Sequence, residues 1–194
     1  MADSTDPTLI ELPPQECKSA GAVLGRAFCD DPLWVAVFPD HELRPGLLTN
    51  MFTALAKATL AARGRAETTL RGEGVALWLP PGEDLGFWAM VKSGFTLPLF
   101  AVRLPGVDRK RMLAVLGQLG DRRNALMPDP HWYLSAIGVD PEHQGEGLGS
   151  ALVRSGIHRA DDGNMPIYLE TETEGNVRFY ENLGFEVIEE VTAT

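Results

Sequence analysis

Three glycines at alternating positions, Gly145, Gly147 and Gly149, stand in the run Gln144-Gly145-Glu146-Gly147-Leu148-Gly149-Ser150. An apolar run, Trp132 to Val139, precedes them, and an amphipathic helical pattern follows. Glycines let a backbone turn tightly and leave its N–H groups bare. A helix start adds unpaired N–H groups and the positive end of its dipole. The chemistry this spells is anion holding, of a phosphate or pyrophosphate above all. A glycine-rich helix entry with no ligand is the plainer alternative.

Two familiar phosphate loops do not fit. A P-loop ends in Gly-Lys-Ser or Gly-Lys-Thr, and no lysine stands here to reach a γ-phosphate. A dinucleotide loop reads G-x-G-x-x-G, opens its fold and has an acidic ribose-binding residue about 20 residues on. This loop reads G-x-G-x-G, and only 45 residues follow it, too few for the rest of a doubly wound sheet. A methyltransferase glycine loop fails for the same reason.

The loop needs a strand before it and a helix behind it, and the surrounding pattern supplies both. Trp132 to Val139 reads as a strand and residues 147–160 as a helix, with Leu148, Ala151, Leu152 and Gly156 on one face. Residues 167–170 read as a strand and 176–183 as a short helix, with Asn176 as N-cap and Gly184 past its end. Residues 185–191 read as a further strand. Strand–helix–strand–helix–strand implies βαβ units and some parallel pairing.

Upstream, residues 9–12 suggest a short strand and 15–28 a helix broken by Asp30-Asp31-Pro32. Leu47, Met51, Leu55, Ala58 and Ala62 mark a second helix ending near Gly64. Residues 66–70 and 74–79 form an expected hairpin, and Val75-Ala76-Leu77-Trp78-Leu79 is apolar enough for burial on both faces. Residues 84–104 read as a helix interrupted at Gly86, Gly94 and Pro98, and 108–126 as another helix.

The chain has 194 residues, 44% of them hydrophobic and 23% charged, which predicts one domain over 1–194 with 1–8 as a flexible tail. Seventeen Lys+Arg against 27 Asp+Glu give a net charge of -10. Such a field repels nucleic acid and anionic membrane and draws in a cation. Cys17 and Cys29 form no disulfide framework, and they fit a cytoplasmic protein. The acidic, polar start is no signal peptide, and no apolar run reaches a membrane span. His41, His143 and His158 have no metal-ligand spacing, so no metal is expected.

Gln144-x-x-Gly147-x-Gly149 after Val139-Asp140-Pro141 resembles the acyl-CoA motif of the GNAT superfamily of N-acetyltransferases. Asn176-Val177-Arg178-Phe179-Tyr180-Glu181-Asn182-Leu183-Gly184-Phe185 resembles that family's C-terminal pattern. Ala27-Phe28, Asp31-Pro32, Val75-Ala76-Leu77-Trp78-Leu79-Pro80-Pro81-Gly82 and Trp132-Tyr133-Leu134 look like the branch that contains puromycin N-acetyltransferase. The resemblance covers roughly residues 15–191. It implies an α/β fold: a mixed, strongly twisted sheet with a splayed acyl-CoA cleft and flanking helices. The strand before the loop is then expected to diverge from its neighbour after a bulge. Backbone groups of Ile137, Gly138 and Val139 pair with pantetheine. Gln144 belongs to the motif, and N–H groups of Gly145, Glu146, Gly147, Leu148, Gly149 and Ser150 hold the pyrophosphate. Glu146, a poor neighbour for an anion, has to point outward.

The implied activity is transfer of an acetyl group from acetyl-CoA to a primary amine, that of a small molecule first. A protein or peptide acceptor, or an acyl-CoA sensor without catalysis, are the rivals. Amide formation needs a neutral amine and a proton for the departing thiolate. Tyr180 is the candidate acid; on a helix it points about 100° from Phe179, which pairs with Leu183. The alternative is a core aromatic. Glu170, followed by Glu172, is the candidate base, or a solvated strand-end charge. Asn176 is assigned a cofactor contact besides its cap. Asp30, Asp31 and Trp34 suit a cationic, partly apolar amine. The family's sheet has one more strand than this sequence offers after residue 191. Either the last strand is lacking or a partner chain supplies it, which makes a homodimer through a sheet edge a further expectation.

Overall fold

The computed structural model of the chain describes residues 7–85 and 87–191. Residues 1–6 of the tail expected at 1–8 and the interruption at Gly86 lie outside the described residues. Five strands form one mixed sheet in the order β1-β2-β3-β4-β5. They are β1 (Leu9–Glu11), β2 (Arg65–Thr69), β3 (Gly74–Leu79), β4 (Trp132–Val139) and β5 (Ile167–Tyr168). The first four pair antiparallel, and β5 pairs parallel to β4. Between β1 and β2 run α1 (Cys17–Ala27), α2 (Pro32–Val37) and α3 (Arg44–Ala61). Between β3 and β4 run α4 (Phe87–Lys92), α5 (Thr96–Arg103) and α6 (Gly106–Leu126). The crossover from β4 to β5 is α7 (Leu148–Asp162), and α8 (Glu174–Glu181) follows β5.

Helices cover both faces of β3, as its unbroken apolar run demands; all six of its residues are buried. Val75 and Leu77 join the core beneath α1 and α3, with Leu24, Leu48 and Phe52. Ala76 and Trp78 turn the other way, toward Leu152 and Val153 of α7. Strand alternation would keep Leu134 and Ala136 of β4 on one face. They lie in opposite cores instead, because the β3–β4 register shifts: Leu77 faces Ala136 while Trp78 faces Leu134. Ser135 is the extra residue, and its hydroxyl donates to Leu77 O at 3.1 Å. This bulge inverts the facing of everything after it. Gly138 consequently meets α1, where a Cβ would come within 2.7 Å of Ala27 Cβ.

The structure departs from the sequence expectations in four places. Asp31 does not merely break a helix; it caps α2, accepting from the N–H groups of Leu33 (3.0 Å) and Trp34 (3.4 Å). The strand expected at 167–170 stops at Tyr168, so Glu170 lies beyond it. The N-cap of α8 is Thr173, whose hydroxyl accepts from Asn176 N–H at 3.2 Å, so Asn176 sits inside the first turn. Residues 185–191 form no strand. Val187, Ile188 and Val191 are exposed there, so no sheet face buries them, and the segment is tied instead by Arg122–Glu189 at 2.6 Å. The edge expected to seat a second copy is therefore not a strand. No helix among the described residues is long and apolar enough to cross a membrane.

Candidate active site

β4 and β5 share only two rungs, Trp132 with Ile167 and Tyr133 with Tyr168. From Leu134 to Val139, β4 keeps its β3 partner but has none on the β5 side among the described residues. Unpaired backbone groups along a strand form a template for a further extended chain. Ile137, Gly138 and Val139 lie at the far end of this open edge.

The chain leaves β4 through Asp140, which pairs with Arg26 of α1 (Arg26 Nε to Oδ2, 2.9 Å), and whose N–H donates to Glu73 O at 2.7 Å. That pins the strand end and aims the loop. Gly145 and Gly147 have φ of 85° and 80°, which only glycine adopts without strain, and Gly147 is the N-cap of α7. A Cβ on either would meet nothing within 4 Å. Among the described residues, the N–H groups of residues 145–150 donate to no backbone carbonyl. The cradle is thus open and its donors are free, as an anion seat requires. Gln144 is exposed, and its side-chain amide donates to Val139 O at 3.3 Å, tying the loop back to β4.

α8 closes the other wall. Phe179 Cζ and Val139 Cγ2 would each stand 3.7 Å from a Cβ on Gly149, so loop, strand end and α8 converge there. Tyr180 packs edge-on against Phe179 and Phe185, ring centres 5.1 and 5.6 Å away. Its ring therefore joins the same apolar cluster as Phe179 rather than turning aside from it. Its hydroxyl has no protein partner among the described residues and is not sealed from solvent. Burial, and then the charge of Glu172, push the phenol above its usual range, so it is a proton carrier at neutral pH.

Three carboxylates face this tyrosine's end of the groove. Burial raises Asp31 and Glu170. The neighbouring hydroxyls of Tyr133 and Tyr168 partly offset that for Glu170, while its Oε1 is buried with no partner among the described residues. Glu172 is reached by solvent yet crowded by protein in the concavity. That crowding, with Asp31 and Glu170 nearby, pushes its carboxyl up to about 7. Arg123 of α6 lies 4.4 Å over the Tyr133 ring and lends the cluster a cation. A cavity of about 310 Å³ between α3 and α5 shares no residue with this group. The groove is open along one side, and open clefts enclose little volume.

The family model for the acetyltransferase (GNAT) family matches residues 113–185, the stretch holding β4, the loop and α8. An uncharacterised N-acetyltransferase of Schizosaccharomyces pombe is 31% identical over 178 residues, covering 88% of this chain and 71% of that one. The chain belongs to the GNAT acetyltransferase family. A mycothiol acetyltransferase of Nocardiopsis dassonvillei is 42% identical over 60 residues, which is 29% of this chain and 18% of that one. A solved structure from Corynebacterium glutamicum, described as a histone acetyltransferase and related acetyltransferase, superposes with a TM-score of 0.67. It is 23% identical over 98% of this chain and 90% of its own, and shows the shared fold.

In this GNAT N-acetyltransferase the loop, the end of β4 and α8 meet at Gly149, and two of the expected residues stand differently from their expectation. Asn176 is exposed on the outer turn of α8, and the cap it was expected to supply comes from Thr173. Gln144 holds the loop rather than projecting from it. Sequence reasoning missed Tyr133 and Tyr168, which reach Glu170 only through the β4–β5 register. Arg123 of α6 joins them over the Tyr133 ring. No local signal marks these three. Asp31 was findable as a cap, since Asp-Pro before an apolar turn is a helix start.

Proposed function

We propose that the protein transfers the acetyl group of acetyl-CoA to the primary amine of a small cationic molecule. The observation that carries this is the gathering of Tyr180, Glu172, Glu170 and Asp31 beside the open edge of β4. Acetyl-CoA supplies a thioester, which the acceptor amine attacks. The N–H groups of residues 145–150 hold its pyrophosphate, and the β4 edge at Ile137, Gly138 and Val139 aligns its pantetheine. Asn176, on the first turn of α8, contacts the same ligand from the opposite wall. Tyr180 gives its proton to the departing thiolate. Glu172, reached by solvent and titrating near neutrality, removes a proton from the incoming ammonium. Glu170, beside the Tyr133 and Tyr168 hydroxyls, stands behind it as the second acceptor of protons. Asp31, Glu170 and Glu172 together favour a cation over a neutral amine.

The test is thiol release from acetyl-CoA against a panel of acceptors. Small mono- and diamines, antibiotic-like aromatic amines, N-terminal peptides and neutral amides form its arms. Turnover confined to cationic small amines is expected. Faster turnover of peptides makes the protein a peptide acetylase, and acetyl-CoA binding with no thiol release for any amine makes it a sensor.

A further inference from the structure

Three carboxylates surround the seat that the loop offers to pyrophosphate. Two of them are tied to partners of their own. Asp140 is paired with Arg26, whose guanidinium keeps the carboxyl below its usual range. Glu73 accepts from the Thr69 hydroxyl at 2.6 Å, which lowers it likewise. The third, Glu146, lies within the loop between the two open-cradle glycines. Its partner is His143, Nδ1 to Oε1 at 3.2 Å. A carboxylate only accepts, so Nδ1 carries the proton in this pair. The same imidazole also faces Glu73 and Asp140. It is thus the shared neighbour of all three acids.

We infer that His143 is a positioning residue for the acyl donor: by holding the Glu146 carboxylate back along the chain, it keeps that charge off the anion seat. The inference rests on the reading of residues 145–150 as the pyrophosphate seat. Nothing else restrains Glu146. It is exposed, and its flanking glycines offer no side chain to pack on. Released, it is free to swing over the bare N–H groups and compete with a phosphate for them. Two negative charges a few ångströms apart at a solvated surface cost a factor of several in affinity.

Calorimetric titration of the whole chain with acetyl-CoA tests this. His143→Ala should weaken binding about fivefold and Glu146→Gln should tighten it about threefold, while the double variant should match Glu146→Gln alone. His143→Gln keeps a donor and should stay close to wild type. Rescue by removing a charge elsewhere is something a merely structural histidine would not show. Additive effects in the cycle, or an unchanged affinity in His143→Ala, overturn the inference. Gly147→Asp separates it from the reading beneath it. That variant should bind at least tenfold more weakly with its circular dichroism intact. If it binds normally, the seat itself is misplaced; if it binds weakly and the cycle is additive, only the role of His143 fails.

Discussion

Tyr180 presents an apolar ring to the core and leaves its hydroxyl open to solvent, so one atom separates its packing from the chemical role proposed for it. Tyr180→Phe keeps the packing on Phe179 and Phe185. Acetyl-CoA affinity should therefore hold while kcat falls about 10²-fold or more. Turnover near the wild-type rate would leave Tyr180 a packing residue. Glu172 gives a prediction with a definite sign. An ordinary glutamate titrates near 4.5, and in the folded chain this one titrates at about 7. Between those values the folded state holds a proton that the unfolded state has lost. Its contribution to stability is thus full below pH 4.5 and is lost as pH rises through about 7. Glu172→Gln should flatten that decline and raise Tm at pH 8 relative to wild type. If Glu172 is the base, the same variant should also lose the rise of kcat/KM through about pH 7. An unchanged melting profile and an unchanged rate profile would remove Glu172 from both roles.

At the scale of elements, the sheet is set by close contacts that allow little substitution. A Cβ on Gly156 would fall 2.2 Å from Trp78 Cζ2, a ring with no exposed surface. Gly156→Ala must push α7 off the sheet, at a cost of about 1–3 kcal/mol, seen as a lower denaturation midpoint. An unaltered midpoint would mean that Trp78 has room to move. The strands and helices nearest the loop were legible in the sequence because each boundary is also a chemical signal. β4 ends where Asp140-Pro141 begins, and α7 starts at the glycines. The start of α8 was misread because Thr173 and Asn176 are both capping residues three positions apart. Only the hydrogen bond between them decides which one caps. Residues 185–191 have apolar residues suited to a strand, but a strand exists only by pairing, and the sequence does not state who pairs with whom. For the same reason Tyr133, Tyr168 and Glu170 could not be read as a group: their meeting is a product of register. The tight turns of the loop and the helix start behind it were readable because both depend on local spacing.

The whole molecule carries a net charge of -10, and Asp31, Glu170 and Glu172 stand together in its groove. Steering by that field is screened over about 8–10 Å at ordinary salt. The KM of a cationic acceptor should rise several-fold between about 20 and 300 mM salt, while a neutral amine's should not. Equal salt responses for both would detach acceptor choice from charge. The two-rung contact of β4 with β5 has a mechanical consequence. β4, paired with β3 along its length, is fastened to β5 only at the closed end of the groove, so a change of angle at those rungs is magnified along β4 as along a lever. From Tyr133 to Val139 the arm is about 20 Å long at the usual rise of about 3.3 Å per residue. A rotation of about 5° at the two rungs then moves the far tip by about 2 Å, roughly half the spacing of neighbouring strands. The width of the groove at the loop is thus set geometrically at Trp132 and Tyr133, at the opposite end of β4 from the glycines.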